Sequence, residues 1–335
     1  MPTTLADLTT LRLGGPAKHV VTATSSEQIV SALCRADELG KPSLVVGGGS
    51  NLVVSDTGWP GVVVLIRTEG IASTRVGDLV TVTVQAGEVW DTVVATSVRN
   101  GWSGLAAMSG IPGRTGATPI QNVGAYGSEV ADVISSLSVY DRETREVSSW
   151  SPAQCGFGFR TSAFKHTDRY VVLSVTFSLT VSPLAPPVRY AEVARRLGIE
   201  VGEVAPSADV RDTVLELRRS KGMLLDADDH DTWSVGSFFV NPFVAPDAVP
   251  DGCPHWTVDG QVKLSAAWLI ENAGFTKGYG TKKVAVSSKH TLALTNRGGA
   301  STAQLLDLAR EIRAGVEARF GVRLRPEARL AGVEL

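Results

Sequence analysis

Seven glycines and a single charged residue, Arg114, occupy the stretch Gly101 to Gly127, GWSGLAAMSGIPGRTGATPIQNVGAYG, in a 335-residue chain that is 20% charged. Loops this rich in Gly, Ser and Thr normally run over a surface and carry charge, because water must solvate their backbone groups. The lack of side-chain charge points to main-chain N–H groups, at Gly110, Gly113, Gly116 and Gly124, lying close against something large, flat and neutral with an anionic portion elsewhere. A flavin dinucleotide has that shape; a buried glycine-rich crossover packed on its own core is the alternative. A second cluster, Gly47, Gly48 and Gly49 followed by Ser50 and Asn51, either presents several amides to one anion or forms a plain hairpin turn between β-branched runs. It is not the dinucleotide fingerprint Gly-x-Gly-x-x-Gly, because the position three after Gly49 is Leu52, and Val53 and Val54 read as strand where that motif needs a helix.

Other chemistries drop out by inspection. His19, His166, His230, His255 and His290 form no HxxxH pair and have no cysteine at ligand spacing, so no metal site is expected. No GxxxxGK[ST] loop and no GxSxG elbow is present. The formal net charge of -2, with both signs interspersed, offers no basic stripe for nucleic acid. Cys34, Cys155 and Cys253 are odd in number and far apart, which fits a reducing compartment better than a disulfide framework. The N-terminal residues lack the build of a signal peptide, and no apolar run approaches the ~18 residues that span a bilayer. A cytoplasmic protein without membrane insertion is expected. What remains is a cofactor-dependent reaction or simple ligand binding.

The elements that must position these loops alternate irregularly between helix and sheet. Ser25 and Gln28 form a capping box ahead of a helix to Leu39, with Ile29, Leu33 and Ala36 on its apolar face and Gly40 at its end. Strands are expected at Leu79 to Gln85, Ile134 to Tyr140 and Tyr170 to Leu179, and a short helix at Val89 to Asn100. The proline-rich SPLAPPVRY is a loop that leaves Tyr190 exposed. A helix from Ala208 to Arg219, capped by Ser207, opens a second unit that continues through GSFFVNPF and LSAAWLIENAGF. The last helix, Ser301 to Phe320, puts Leu305, Leu308, Ile312, Val316 and Phe320 on one stripe, as a core helix does. The fold class is α+β.

Five motifs, GGGSN, SGIPGRTGATPIQNVGAYG, CGFGFRTSAFK, GSFFVNP and RPEARLAG, occur in this order across nearly the whole chain. Together they resemble the UDP-N-acetylenolpyruvoylglucosamine reductase family, in its form with a tyrosine-bearing loop, here RYAEV with Tyr190. The resemblance implies a two-lobed FAD-binding part of the vanillyl-alcohol-oxidase type, about residues 1–70 and 71–206. A separate α+β substrate-binding domain would cover 207–320, with a tail, 321–335, that returns to the flavin. The activity implied is NADPH-dependent, FAD-mediated reduction of UDP-N-acetylglucosamine enolpyruvate to UDP-N-acetylmuramate for peptidoglycan, by a monomer acting on small molecules.

The same resemblance assigns residues. Gly47, Gly48, Gly49, Ser50 and Asn51 would hold the FAD pyrophosphate. Ser109, Ile111, Pro112 and Gly113, with Gly116, Ala117, Thr118, Asn122 and Gly124, would line the rest of the cofactor. Arg160 would face the reacting end of the substrate, with Ser237 and Glu327 completing the catalytic set, and Tyr190, Lys221 and Asn241 would bind the sugar nucleotide or the nicotinamide nucleotide. Two positions depart from the family pattern: Val240, where a basic residue is common, and GMLLDADD after Lys221 in place of a proline-rich turn. The residue chemistry agrees with the roles. Hydride addition to the methylene carbon of an enolpyruvyl ether pushes charge onto the carboxylate as an enolate, which a planar arginine fork can meet; such stabilisation is worth about 3 kcal/mol or more. The α-carbon then needs a proton, which a positioned serine can give. Glu327 would orient that acid or hydrogen-bond the enolate. No His or Cys stands in either flavin-facing motif, so FAD would be held without a covalent bond. An FAD-dependent oxidase or dehydrogenase of the same fold acting on an alcohol or sugar lactone, or a non-catalytic nucleotide-binding module, are the competing readings; the first has no need for Arg160, Ser237 and Glu327 together.

Overall fold

The computed structural model describes residues 3–258 and 260–335. Its chain folds into two compact units, both discontinuous in sequence: a larger one made of His19–Gly48 and Gly61–Arg219, and a smaller one made of residues up to Lys18, Gly49–Pro60 and Ser220–Leu335. The fold class is α+β, as the sequence implies.

In the larger unit an antiparallel sheet runs in the order Glu146–Trp150, Ile134–Asp141, Tyr170–Val181, Leu79–Gln85, Ile71–Val76, with the short strand Trp102–Ser103 paired to the far end of Tyr170–Val181. One face buries Val80, Val82, Val84, Leu137, Val139, Val175 and Phe177 against Trp90, Val93 and Val94 of the helix Trp90–Arg99. That is the period-two strand pattern meeting one face of a helix. A second sheet, Ala17–Ala23, Trp59–Ile66, Ser43–Val46, pairs its last two strands in parallel. The helix Ser26–Glu38 packs Ile29 and Leu33 with Val64 and Ile66 of that sheet and with Val171 and Leu173 of the larger one. Half of the expected capping box forms: Ser25 Oγ accepts from the Gln28 N–H, but Gln28 Oε1 accepts from the Thr24 N–H at 2.8 Å in place of the Ser25 N–H. The helix Ser207–Ser220 begins one residue before the expected start. Pro206 supplies the first accepting carbonyl, to Val210 N–H at 3.1 Å, while Ser207 Oγ is buried with no hydrogen-bond partner. Ser207 is therefore a first-turn residue and not the cap.

The smaller unit has three short sheets around the helix Thr302–Phe320, whose Leu305, Leu308, Ile312 and Val316 are buried as their spacing requires. The strand Leu52–Val54 pairs in parallel with Arg329–Ala331. Ser301 and Gln304 cap the long helix reciprocally, and the Asp56 carboxylate accepts two further first-turn amides, from Thr302 (2.7 Å) and Ala303 (2.9 Å). Asp56 thus satisfies donors that a helix start leaves open and places negative charge at the positive end of the helix dipole.

Candidate functional site

The loop Gly47 to Asn51 is not a hairpin. The strand before it, Ser43–Val46, pairs with Trp59–Ile66, whereas the strand after it, Leu52–Val54, pairs with Arg329–Ala331, so the loop joins two different sheets. Within the larger unit it meets the glycine-rich stretch directly: a Cβ on Gly48 would lie 2.6 Å from Gly113 Cα, and one on Gly47 3.3 Å from Arg114 Cβ. Two of the motifs read from the sequence are therefore in contact, backbone on backbone.

The glycines of the long stretch act differently from the sequence argument. A Cβ on Gly116 would lie 2.5 Å from Ala86 Cβ, and one on Gly124 2.6 Å from Ser128 O, so these two are needed for packing on the chain itself. The Gly116 N–H donates to Ala86 O at 2.9 Å and the Gly110 N–H to Asp91 Oδ1 at 2.6 Å. Both amides are committed within the protein and are not offered to a ligand. Uncommitted amides remain in both loops: the N–H groups of Gly113 and of Gly47, Gly48 and buried Gly49 have no acceptor among the described residues. Ser109 and Thr118, both buried, spend their hydroxyl protons on the carbonyls of Ala106 (2.7 Å) and Thr115 (2.8 Å).

Arg160 sits in left-handed backbone, φ 53°, as do Asn122 at 46° and Tyr126 at 52°. Such conformations cost about 1–3 kcal/mol each and persist where the surroundings impose them. Here the surroundings are specific. Lys165 Nζ donates to Arg160 O at 2.6 Å; Asn122 Nδ2 donates to Glu129 Oε2 at 2.6 Å, and its Oδ1 accepts from Ala131 N–H at 3.1 Å. The Arg160 guanidinium donates to Gly124 O at 2.8 Å and Asn122 O at 3.4 Å and lies over the Phe159 ring. Arg160, Asn122 and Gly124 are thus one hydrogen-bonded group. Tyr190, 41% exposed, precedes the helix Ala191–Leu197 and meets Tyr126 edge-on at 5.3 Å.

Asp91, Arg211 and Arg218 were invisible in the sequence. The Arg211 fork places both Nη atoms 2.7 Å from the two Asp91 carboxylate oxygens, beside buried Arg218. Burial alone would raise the Asp91 carboxyl; the Arg211 hydrogen bonds, the Gly110 N–H and the charges of Arg211 and Arg218 together hold it below its ordinary value.

The smaller unit gathers another set. Ser237 bridges Ala293, and Phe239 bridges Pro326. Phe238 donates from N–H to Leu292 O at 2.7 Å, and its carbonyl accepts from Glu327 N–H at 2.8 Å. Asn51 accepts at its carbonyl from Arg329 N–H at 3.0 Å and donates from Nδ2 to Glu327 O at 3.4 Å. Ser237, Glu327 and Asn51, far apart in sequence, therefore lie on mutually hydrogen-bonded segments. Asn241 Oδ1 accepts from Ala266 N–H at 2.9 Å at the start of the helix Ala266–Asn272, and Lys221 is half-buried just after Ser207–Ser220. Among the described residues no group of His, Cys, Asp and Glu could hold a metal, and no helix is long and apolar enough to cross a membrane.

The chain is 52% identical to UDP-N-acetylenolpyruvoylglucosamine reductase of Thermobifida fusca, over 99% of this chain and 97% of that protein. It is 53% identical to the reductase of the same name from Salinispora arenicola, over 99% and 95%. The chain belongs to the UDP-N-acetylenolpyruvoylglucosamine reductase family. The model of this reductase's C-terminal domain matches residues 228–331, and an FAD binding domain model matches 17–148. The crystal structure of the Thermus caldophilus reductase shares the fold, with a TM-score of 0.68 at 24% identity over 99% of this chain and 98% of that one. For a reductase of this family the residues present fit FAD. The 47–49 loop has unclaimed amides of the kind an anionic pyrophosphate takes, while its glycines are also required by the chain's own packing, since an added Cβ would meet Gly113 Cα at Gly48 and lie 2.0 Å from Leu8 O at Gly49.

Proposed function

We propose that this protein reduces UDP-N-acetylglucosamine enolpyruvate to UDP-N-acetylmuramate in peptidoglycan synthesis, with NADPH as electron source and non-covalent FAD as cofactor. The observation that carries this is family membership along the whole chain, 52% identity over 99% of it. Bound FAD supplies hydride transfer from NADPH to the methylene carbon of the enolpyruvyl ether. Gly47 to Asn51 would hold its pyrophosphate, and Ser109 to Gly113, Gly116 to Thr118, Asn122 and Gly124 would line the remainder.

In this reading Arg160 faces the substrate carboxylate as it takes up enolate charge. Its fixed hold on the Asn122 and Gly124 carbonyls supports the role, because a donor already oriented needs no reorganisation as charge develops. Ser237 gives its hydroxyl proton to the α-carbon. Backbone pairing on both sides, to Ala293 and through Phe238 to Leu292 and Glu327, keeps that segment rigid. Glu327 orients the acid or hydrogen-bonds the enolate, and Tyr190, Lys221 and Asn241 hold the nucleotides. The functional division we propose is two FAD-binding lobes, 1–70 and 71–206, a substrate-binding part, 207–320, and a tail, 321–335, that brings Glu327 to the flavin. A cytoplasmic monomer completes the proposal, and three free thiols fit that reducing compartment.

Ser237→Ala tests the assignment, because only reoxidation of the enzyme by the enolpyruvyl substrate needs a proton on carbon. In anaerobic stopped-flow the variant should be bleached by NADPH at nearly the native rate, and reoxidation by substrate should slow by about 10²- to 10⁴-fold. Ser237→Cys should recover part of the loss. Native reoxidation by the alanine variant would remove Ser237 from the chemistry.

A further inference from the structure

Two arginines that the reaction as described does not use lie beside the glycine loop of the larger unit. Arg67 follows the strand Trp59–Ile66, and its Nη1 donates to the carbonyls of Ile66 at 2.7 Å and Gly47 at 2.8 Å. Arg114 follows Gly113; its Nη1 donates to Gly87 O at 2.5 Å, and its Cβ is the nearest atom, at 3.3 Å, to a Cβ built on Gly47. Both are half-buried. Neither makes an ion pair among the described residues, where Nε and Nη2 of each also lack an acceptor.

Two guanidiniums held near each other without an anion are unfavourable on their own. Burial, and after it the charge of Arg114, push the Arg67 guanidinium below its ordinary value. An arrangement that opposes the stability of the ligand-free protein makes physical sense when something negative completes it. The negative group must lie beside Gly47 and Gly48, whose amides are also unclaimed. Amides and guanidiniums together are the donor set of a diphosphate site, since arginine's planar fork matches phosphate oxygens.

We propose that Arg67 and Arg114 form a guanidinium pair that neutralises the pyrophosphate of FAD and completes the amide cradle of Gly47 and Gly48. This rests on the FAD reading above, and the test separates the two. Flavin is removed from the purified protein, and FAD, riboflavin and inorganic pyrophosphate are titrated into wild type, Arg114→Gln and Arg67→Met, with flavin fluorescence and thermal midpoint as readouts. Arg114→Gln should weaken FAD binding about 10- to 100-fold, the range for losing a hydrogen bond between charged groups. Its affinity for riboflavin, which has no phosphate, should match wild type. Pyrophosphate should raise the midpoint of the wild-type apoprotein and not that of Arg114→Gln, and added salt should weaken FAD binding more in wild type than in the variant.

Arg67→Met releases the Gly47 carbonyl, in the cradle itself, whereas Arg114→Gln gives up only the bond to the Gly87 carbonyl outside it, so Arg114→Gln decides the matter. FAD affinity within twofold of wild type in Arg114→Gln, or an equal pyrophosphate response, overturns the pair while leaving the cofactor reading intact. A wild-type apoprotein that binds no FAD overturns that reading and the pair with it.

Discussion

Asp91 ties the loop Leu105 to Gly113 to the helix Ser207–Ser220, and removing its carboxylate should loosen the loop measurably. Asp91 accepts three hydrogen bonds, from Gly110 N–H at 2.6 Å and from the Arg211 fork at 2.7 Å twice. The side chains are 34% exposed for Asp91 and 16% for Arg211, and Arg218 beside them is 8% exposed. Stripping a partner from a fully buried pair costs about 3–5 kcal/mol and from an exposed one about 1 or less, so a carboxylate one-third exposed falls near 2 kcal/mol. The orphaned Gly110 amide adds roughly 1 kcal/mol. Asp91→Ala should therefore destabilise the Leu105 to Gly113 segment by about 3 kcal/mol, and its peptides should exchange deuterium ~10²-fold faster in the apoprotein. Asp91→Asn keeps an acceptor for Gly110 and should lose about half as much. The pH dependence has a definite sign: the carboxyl is lowered in the fold, so its stabilisation is complete above the ordinary aspartate range and fades as pH falls through it, and Asp91→Asn should flatten that limb. A double-mutant cycle with Arg211→Met isolates the pair. Exchange rates in Asp91→Ala within threefold of native, or a coupling near zero, would refute this account of the loop.

Arg160→Lys should slow substrate reduction far more than it weakens substrate binding, because lysine keeps the charge but cannot span the Asn122 and Gly124 carbonyls as a planar fork; unchanged turnover in steady-state assays would take Arg160 out of the chemistry. Burial pushes the Cys155 thiol up to about 11, so alkylation at pH 8 should require unfolding, and the stability this thiol contributes should persist through neutral pH and decline as pH rises from about 9 towards 11; rapid labelling of the folded protein at pH 8 would contradict it.

Local signals were legible and long-range ones were not. Ser25, Gln28 and Ser301 cap their helices because the groups they satisfy lie within four residues along the chain. Asp56 caps the same final helix from 246 positions away, and nothing about an aspartate after Leu52–Val54 announces that partner. Ser207 misled because serine is a common cap, while the helix takes Pro206 at that position and begins at Ser207 itself, whose N–H is met by Pro183 O at 2.8 Å. The glycines do mark close approach, and at Gly116 and Gly124 the chain itself approaches. Gly48 meets Gly113 and Gly116 meets Ala86, so composition revealed that side chains were forbidden without revealing whether ligand or backbone forbade them. Asp91 and Arg67 could not be singled out at all, since an aspartate in a first helical turn and an arginine after a strand have ordinary roles, and Arg114 stood out as the one charge of its stretch without a partner to give it a role.

The groups that would carry the reaction are sorted by chemistry between the two units. Arg160, which would meet negative charge, is built on the larger unit with Arg67 and Arg114; Ser237 and Glu327, which would handle the proton, are built on the smaller. The smaller unit can bring its pair together only because its C-terminal segment returns: Glu327 N–H bonds the carbonyl of Phe238, next to Ser237, and Arg329 N–H bonds Asn51. Sequence order hides this, since residues 239 to 326 lie between the segments that meet. Substitutions in the two units should accordingly separate by readout. Loss of Arg67, Arg114 or Asp91 acts on affinity for an anionic cofactor and on local opening of its loops, whereas loss of Ser237 acts on the proton-dependent half-reaction and leaves cofactor affinity alone.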